Sequence, residues 1–412
     1  MAAVSYLDRN NMSVAATSIQ QDFGLTNLQL GGIFSAFVFG YAVAQPLAGR
    51  IADRYGPYRI VGLGLLWWSG FTAATALVPS GLAWSLTALT SVRLMLGIGE
   101  AVIFPASNRL VAAWIPSAER GVANGLIFAG VGVGAGAAPP LITYIILARD
   151  WRWSFFVTAA VGLAVLLVWT FVVRNRPEDH PWATPAEVSF IRATAPLKPL
   201  GSMPDSWGRI IRNKQVLLLS LSYFAYGYVA YIFFTWFFKY LSSARRLDLK
   251  ASAIYATLPF IAMAICAPLG GWMADILTRR FDARVGRCWT AATALCAAAV
   301  LVSLATRVED ARTACMVLAG GAGVLYLSQS AYWTLSANLG GASAGSLSGV
   351  MNMFNQIGGV STALLTPWLA DRFGWSASFN VAATVCLLGA MIWLMIDPAA
   401  TLDGSANPGG VA

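Results

Sequence analysis

Gly49-Arg50-Ile51-Ala52-Asp53-Arg54-Tyr55-Gly56, closed by Arg59, is a short polar loop between two long apolar stretches, and its pattern returns in the second half of the chain. Gly49, Ala52 and Asp53 recur 222 positions on as Gly271, Ala274 and Asp275, again at the end of an apolar stretch and followed by arginines. Trp153 and Ser154 recur at the same offset as Trp375 and Ser376. One offset shared by two separated matches points to a duplicated bundle. The glycines permit a tight turn and close helix approach, and Asp53 can accept from arginines or from a neighbouring helix N-terminus. Gly49, Asp53, Arg54, Gly56 and Arg59, with Gly271 and Asp275 in the repeat, therefore read as a breakable cytoplasmic latch. A basic loop that only sets topology needs neither the acid nor the glycines.

Outward from that loop the chain is apolar almost throughout: of 412 residues, 58% are hydrophobic and 11% charged, more apolar surface than a soluble domain can hide. A helix needs about 20 apolar residues to cross roughly 30 Å of hydrocarbon. Twelve such stretches occur, at 1–21, 28–48, 60–79, 82–104, 121–147, 152–174, 215–240, 251–275, 287–306, 311–335, 343–369 and 375–396. The predicted fold is an all-α integral membrane protein, with twelve transmembrane helices in two pseudo-symmetric six-helix bundles. Its divisions are an N-terminal bundle at 1–174, a cytoplasmic linker at 175–214 marked by Pro177, Pro181, Pro185, Pro196, Pro199 and Pro204, a C-terminal bundle at 215–396, and a tail at 397–412. Only seven residues precede Asp8, too few for a helix carrying that carboxylate to mid-membrane, so the first helix is expected to be N-terminally truncated. The opening residues lack a basic region and a cleavage pattern, and the first span is expected to remain in the protein.

The net charge of +9 is explained by topology and calls for no nucleic acid partner. With the N-terminus inside, sixteen Lys and Arg fall on cytoplasmic connections and nine on external ones, so both termini are expected in the cytoplasm of a multi-pass plasma (inner) membrane protein. The external cluster from Lys239 to Lys250 runs against that bias and can draw anions to the outer mouth. The five cysteines lie in or at the ends of spans and imply neither disulfides nor a metal site. His180, the only histidine, sits in the linker, which leaves no histidine relay within the membrane.

Two carboxylates and two arginines sit inside apolar spans: Asp8 and Arg9 in the first, Arg93 and Glu100 in the fourth. A charge at mid-bilayer costs about 3 kcal/mol even on the mildest scale, so such a set marks a task more readily than a purely structural ion-pair network.

These motifs resemble the major facilitator superfamily, on the strength of the loop at 49–59. A narrower resemblance rests on Tyr6-Leu7-Asp8-Arg9-Asn10-Asn11, Arg93-Leu94-Met95-Leu96-Gly97-Ile98-Gly99-Glu100 and Asn175-Arg176-Pro177-Glu178-Asp179-His180-Pro181. Together they are similar to the anion:cation symporter family, whose bacterial members import sugar acids and other carboxylates with protons. The resemblance implies a secondary transporter and not an enzyme, with protons as coupling ion, no cofactor, and a monomer in the lipid bilayer. In related sugar-acid carriers it implies a glutamine near position 131, where this chain has Ala129-Gly130-Val131-Gly132.

The residue chemistry fits. Tyr6 and Arg9 share a helical face, Asp8 points about 100° away, and Arg93 and Glu100 lie nearly on one face about 10 Å apart along the axis. Arg9 is assigned the substrate carboxylate, since a guanidinium grips it with two parallel hydrogen bonds and keeps its proton. Arg93 is expected to pair with Asp8. Glu100, with no cation on its own turn, is the expected proton carrier and Asp8 the second. Adding 222 maps Arg9 to Tyr231, Arg93 to Cys315 and Glu100 to Ala322, so the C-terminal half is expected to offer neutral contacts: Ser330 and Trp333 on one face, Asn352, Asn355 and Gln356 on another, with Tyr41 and Gln45 from the second span. For these, and for Tyr223, Tyr226, Tyr228, Tyr231 and Trp236, helix packing is an equally good reading. The expected function is proton-coupled import of an organic anion, a sugar acid such as an aldonate, aldarate or uronate, by alternating access. A drug/proton antiporter and a non-transporting nutrient sensor are the competing readings; Arg9 in the cavity argues against a cationic drug.

Overall fold

A computed structural model describes residues 1–194, 205–247 and 249–402. The helices are α1 (Ala2–Phe23), α2 (Asn27–Tyr55), α3 (Pro57–Leu77), α4 (Ser85–Glu100), α5 (Ile103–Trp114), α6 (Arg120–Ala148), α7 (Trp151–Val172), α8 (Pro185–Thr194), α9 (Trp207–Arg212), α10 (Lys214–Thr235), α11 (Phe237–Lys239), α12 (Leu249–Arg280), α13 (Thr290–Ala305), α14 (Ala311–Leu327), α15 (Gln329–Gly340), α16 (Ala344–Phe373) and α17 (Trp375–Leu394). No strand occurs among the described residues. Helices are what a chain this apolar must form in lipid, because each satisfies its own backbone donors and acceptors.

Ten stretches are long and apolar enough to cross a membrane. One of them, Ala311–Phe373, holds two crossings, because the chain reverses at Gly341 (φ +48) and α16 packs back along α15. α1 falls short of that hydropathy standard because Asp8, Arg9, Asn10 and Asn11 occupy its middle, yet at 22 residues it packs against α6 and α7 like the other spans. The total agrees with twelve crossings. α4 and α5 form one 30-residue span, as do α14 and α15 over a similar length, each broken by a short kink that the apolar pattern alone does not reveal. Large apolar side chains such as Leu63, Leu147 and Phe171 point outward and exposed, as lipid-facing residues do.

Two pairs of helices join the bundles. α2 packs along α16, and α12 along α6. Glycines set their approach: a Cβ on Gly49 would fall onto the main chain of Gly345, and one on Gly271 onto that of Gly121. One turn further in, Gly349 lies against Gln45 and Pro46, and Gly125 against Ala267 and Pro268. The pairs are related by the internal repeat, so the interface has the two-fold symmetry that the duplicated loop announces. The connection between bundles docks at the same end, where the Asp205 amide and carboxylate bond Ser343 Oγ (both 2.9 Å) and Arg50 Nη1 donates to the Asp205 carbonyl (2.9 Å). This is called the linker end below. Of the linker expected at 175–214, residues 195–204 with Pro196, Pro199 and Pro204 lie outside the described residues, as does 403–412 of the tail.

Candidate functional site

α1 carries its charges to two different neighbours. Asp8, 1% exposed, accepts from Trp68 Nε1 (2.8 Å) and Thr72 Oγ1 (2.8 Å) on α3 and from Thr158 Oγ1 (3.2 Å) on α7. Thr158 in turn accepts from Asn11 Nδ2 (3.2 Å), whose amide oxygen takes Ser154 Oγ (2.7 Å). Arg9, one position on, faces α4: its Nε lies 2.7 Å from Glu100 Oε1, which also accepts from Ser5 Oγ. The Arg9 guanidinium stands 4.0 Å from the Tyr41 ring centroid and 4.8 Å from that of Tyr6, a cation held between aromatic faces.

This pairing corrects the one expected from sequence. Among the described residues no ion pair joins Asp8 to Arg93; Asp8 is met by neutral donors because its face of α1 looks at α3 and α7. Arg93 rests 4.9 Å from the Phe37 ring centroid with Nε and Nη1 lacking a protein partner, close enough to feel the charges of Asp8 and Glu100. Glu100 does have a cation, supplied from α1 and not from its own turn. Its second oxygen, Oε2, and Arg9 Nη2 are buried without partners.

Beside the Arg9–Glu100 pair lies a small cavity between the two bundles. Tyr6, Tyr41, Trp333, Asn352, Asn355 and Gln356 line it, as do Tyr223, Tyr226 and Tyr231 of α10. Gln45 and Ser330 lie outside that lining, as do Tyr228 and Trp236. Gln45 Oε1 instead accepts from Asn352 Nδ2 (2.9 Å) across the α2–α16 contact, and Ser330 Oγ is buried without a partner. Arg9 keeps 13% of its side chain exposed, and Tyr6 and Tyr41, whose rings flank its guanidinium, line the cavity. Tyr231, the repeat counterpart of Arg9, donates its hydroxyl to Gln356 Oε1 (2.5 Å). Phe104, Phe128 and Phe234 complete an aromatic wall that no local motif marks in the sequence.

At the linker end the two repeated aspartates make equivalent contacts. Asp53 accepts from the amides of Gly345 (2.9 Å) and Ser346 (2.6 Å) and from Ser346 Oγ (2.7 Å), all in the first turn of α16. Asp275 accepts from the amides of Gly121 (3.1 Å) and Val122 (2.7 Å), in the first turn of α6. A carboxylate at a helix N-terminus neutralises free amides and opposes the dipole. Each is also met by a buried arginine from its own bundle, Arg109 Nε at 3.6 Å from Asp53 and Arg287 Nη2 at 2.5 Å from Asp275. Arg54 and Arg59, expected to take part, are exposed and make no ion pair with Asp53 among the described residues; Arg109 has that place. Gly56, at φ +88, turns the chain from α2 into α3, where the Tyr58 amide donates to Asn175 Oδ1 (2.9 Å).

A sequence model of the Major Facilitator Superfamily matches residues 1–363 and 256–410. The chain is 32% identical to a probable sulfoacetate transporter of Cupriavidus necator over 100% of its own length and 94% of that protein. It is 29% identical to a hexuronate transporter of Bacillus subtilis, covering 94% of this chain and 90% of the relative. Among solved structures, a proton:xylose symporter superposes with a TM-score of 0.77 at 14% identity, over 98% of this chain and 96% of that one, a likeness of fold.

Proposed function

The chain belongs to the Major Facilitator Superfamily, and we propose that within it the protein imports an organic anion together with protons by alternating access, with a sugar acid such as an aldonate, aldarate or uronate as cargo. The observation that carries this reading is the Arg9–Glu100 ion pair at the edge of an aromatic and amide-lined cavity. Names of relatives, among them hexuronate and sulfoacetate transporters, support an anionic cargo. The proposed division is a bundle at 1–174, a linker at 175–214, a bundle at 215–396 and a tail at 397–412, with the linker end in the cytoplasm of the inner membrane, both termini inside, and the protein working as a monomer.

The coupling follows from competition for one guanidinium. An arriving carboxylate takes the Arg9 fork, whose Nη2 is free, and displaces Glu100. An ionised carboxylate left buried and unpaired costs about 3–5 kcal/mol, so displacement is favourable when Glu100 takes a proton. Asp8 is the second proton site in this scheme: its three donors position it and none of them is a cation. Arg93, with two unpartnered nitrogens and within range of the charges of both acids, receives whichever remains charged in this scheme. Ligands seated on Arg9 from one bundle and on Asn352, Asn355 and Gln356 from the other draw the bundles together around the cavity. The latches of Asp53 and Asp275 then part at the linker end.

The test is uptake of labelled sugar acids, simple carboxylates and a sulfonated acid into proteoliposomes, with and without an inward proton gradient. Gradient-driven accumulation of one acid that is lost in Arg9→Ala is expected. If no acid moves and a lipophilic cation exchanges for protons, the reading fails.

A further inference from the structure

α13 and α17 lie side by side in the C-terminal bundle and leave between them a cleft of about 400 Å3, a size typical of ligand sites. Its floor is Ala299 and Ala383, both buried, and its walls are Val300, Leu304 and Leu387, all exposed. The small floor residues leave the room, and the exposed walls open it away from the bundle core. The mouth is polar: Ser303 Oγ donates to Asn380 Oδ1 (2.7 Å) from one helix to the other, and Arg307 lines the same cleft. α13 begins near the linker end, just after Arg287 meets Asp275, so Arg307, two residues past its last turn, lies at the opposite membrane face, at headgroup depth. An arginine there commonly caps the carbonyls of the helix it follows. Arg245 already does so, donating from Nη2 to the Ala305 carbonyl (2.8 Å) and from Nη1 to that of Val308 (2.7 Å). Among the described residues the Arg307 guanidinium meets no acceptor, carboxylate or ring. Glu309 and Asp310 follow it closely without pairing with it; Asp310 is bound to Thr313, and Arg245 and Arg312 offset both acids.

We propose that this cleft binds an anionic phospholipid, with an acyl chain over Ala299 and Ala383 and the phosphodiester on Arg307. Acyl chains cover every outward face of such a protein; this face differs in being a recess with an unpaired cation at its mouth. A guanidinium takes a phosphate through paired hydrogen bonds, and the Asn380 amide hydrogens, which meet no acceptor among the described residues, add a second donor. Charge complementarity selects the head: a zwitterionic lipid brings its own ammonium, which competes for the phosphate and repels Arg307, whereas a net anion does neither. A soluble anion would leave the apolar walls unfilled. The cleft shares no residue with the Arg9 cavity and both its walls belong to one bundle, so the site stands whether or not the transport reading does.

The test is native mass spectrometry of the purified full chain, titrated with phosphatidylglycerol or with phosphatidylcholine of the same acyl chains. The first phosphatidylglycerol is expected to bind about fivefold more tightly than the first phosphatidylcholine, the effect of one cation at a membrane surface. Arg307→Gln should bring that ratio near one; the residue is exposed and unpartnered, so its loss leaves the packing intact. Arg372→Gln removes the same charge at the same membrane face, from the end of α16, and should keep the ratio. Glycerophosphoglycerol, the same head without chains, should not displace the bound lipid. A ratio near one in the unaltered protein, or stepwise uptake of phosphatidylglycerol with no tighter first molecule, overturns the proposal without any variant. An unchanged ratio in Arg307→Gln, an equal loss in Arg372→Gln, or displacement by the chainless head overturns it as well, the last two by revealing diffuse surface charge or a site for free phosphodiester.

Discussion

Arg9 spends Nε on Glu100, presses its face on Tyr41 and keeps Nη2 without a protein partner, so it is half-occupied by its own protein. In the proposed scheme a substrate carboxylate completes the fork only by evicting Glu100, which would make the two carboxylates rivals whose exchange a proton settles. Glu100→Gln should therefore accept substrate without waiting for a proton. Counterflow exchange is expected to continue, while an imposed gradient no longer concentrates substrate through this residue, a loss of about tenfold per pH unit for each coupled proton. Full gradient-driven accumulation by that variant would refute the assignment of Glu100. Arg9→Lys keeps the charge and loses the planar fork, so the KM for uptake should rise about tenfold with the proton dependence retained. That four charges sit in α1 and α4 was legible from residue types in apolar spans. Which acid meets which arginine was not, because it depends on the rotation of α1 against α3, α4 and α7, and Asp8 and Arg9 are only one residue apart on that helix.

The duplicated loop exposed one side of each latch, Asp53 with Gly49 and Asp275 with Gly271, because these residues recur at a fixed offset. The other side was invisible. Gly345, Gly121 and Val122 take part through main-chain amides, which leave no mark in residue type, Ser346 through its amide and its hydroxyl, and all come from the opposite bundle. The spans were equally readable from apolar length, while the breaks between α4 and α5 and between α14 and α15 were not. Gly49→Val places a side chain on the Gly345 carbonyl and should hold α2 off α16 at the linker end. Spin-label distances between the linker-end turns of those helices should lengthen, with Gly31→Val, which meets open space, as the silent control. A distribution matching the unaltered protein would show that the close approach does not govern closure. Outside the spans, Asp310 caps α14, accepting from the Thr313 hydroxyl and amide (both 2.7 Å), and those bonds hold its carboxyl below the usual carboxylate range. A depressed acid stabilises the fold at pH values above its unfolded value of about 4 and stops doing so as pH falls through the folded one. Asp310→Asn should therefore lower the unfolding temperature at pH 7 and converge with the parent near pH 3. An equal difference at both values would exclude the charged cap.

At the scale of the whole molecule the charges beside the cavity balance: Asp8 and Glu100 against Arg9 and Arg93 sum to zero formal charge, and the cavity lining itself is made of neutral side chains. Repeat symmetry stops at this point, because the counterparts of Arg9, Arg93 and Glu100 are Tyr231, Cys315 and Ala322, so the C-terminal bundle adds no charge that could offset an imbalance. A monoanion that enters with one proton leaves the sum unchanged, and the rocking step then carries no net charge through the membrane field. With protons on both Glu100 and Asp8, the loaded carrier moves one positive charge inward. One elementary charge is worth about 2.3 kcal/mol per 100 mV, which is about fiftyfold in accumulation ratio. With two proton sites, an inside-negative potassium diffusion potential should raise monoanion uptake at equal pH on both sides. Asp8→Asn should abolish that response, since the remaining proton only cancels the substrate. A dianionic acid should show no response in the unaltered protein. Monoanion uptake indifferent to potential would remove Asp8 from the coupling and leave Glu100 as the only proton site, with Asp8 reduced to an anchor for Trp68, Thr72 and Thr158.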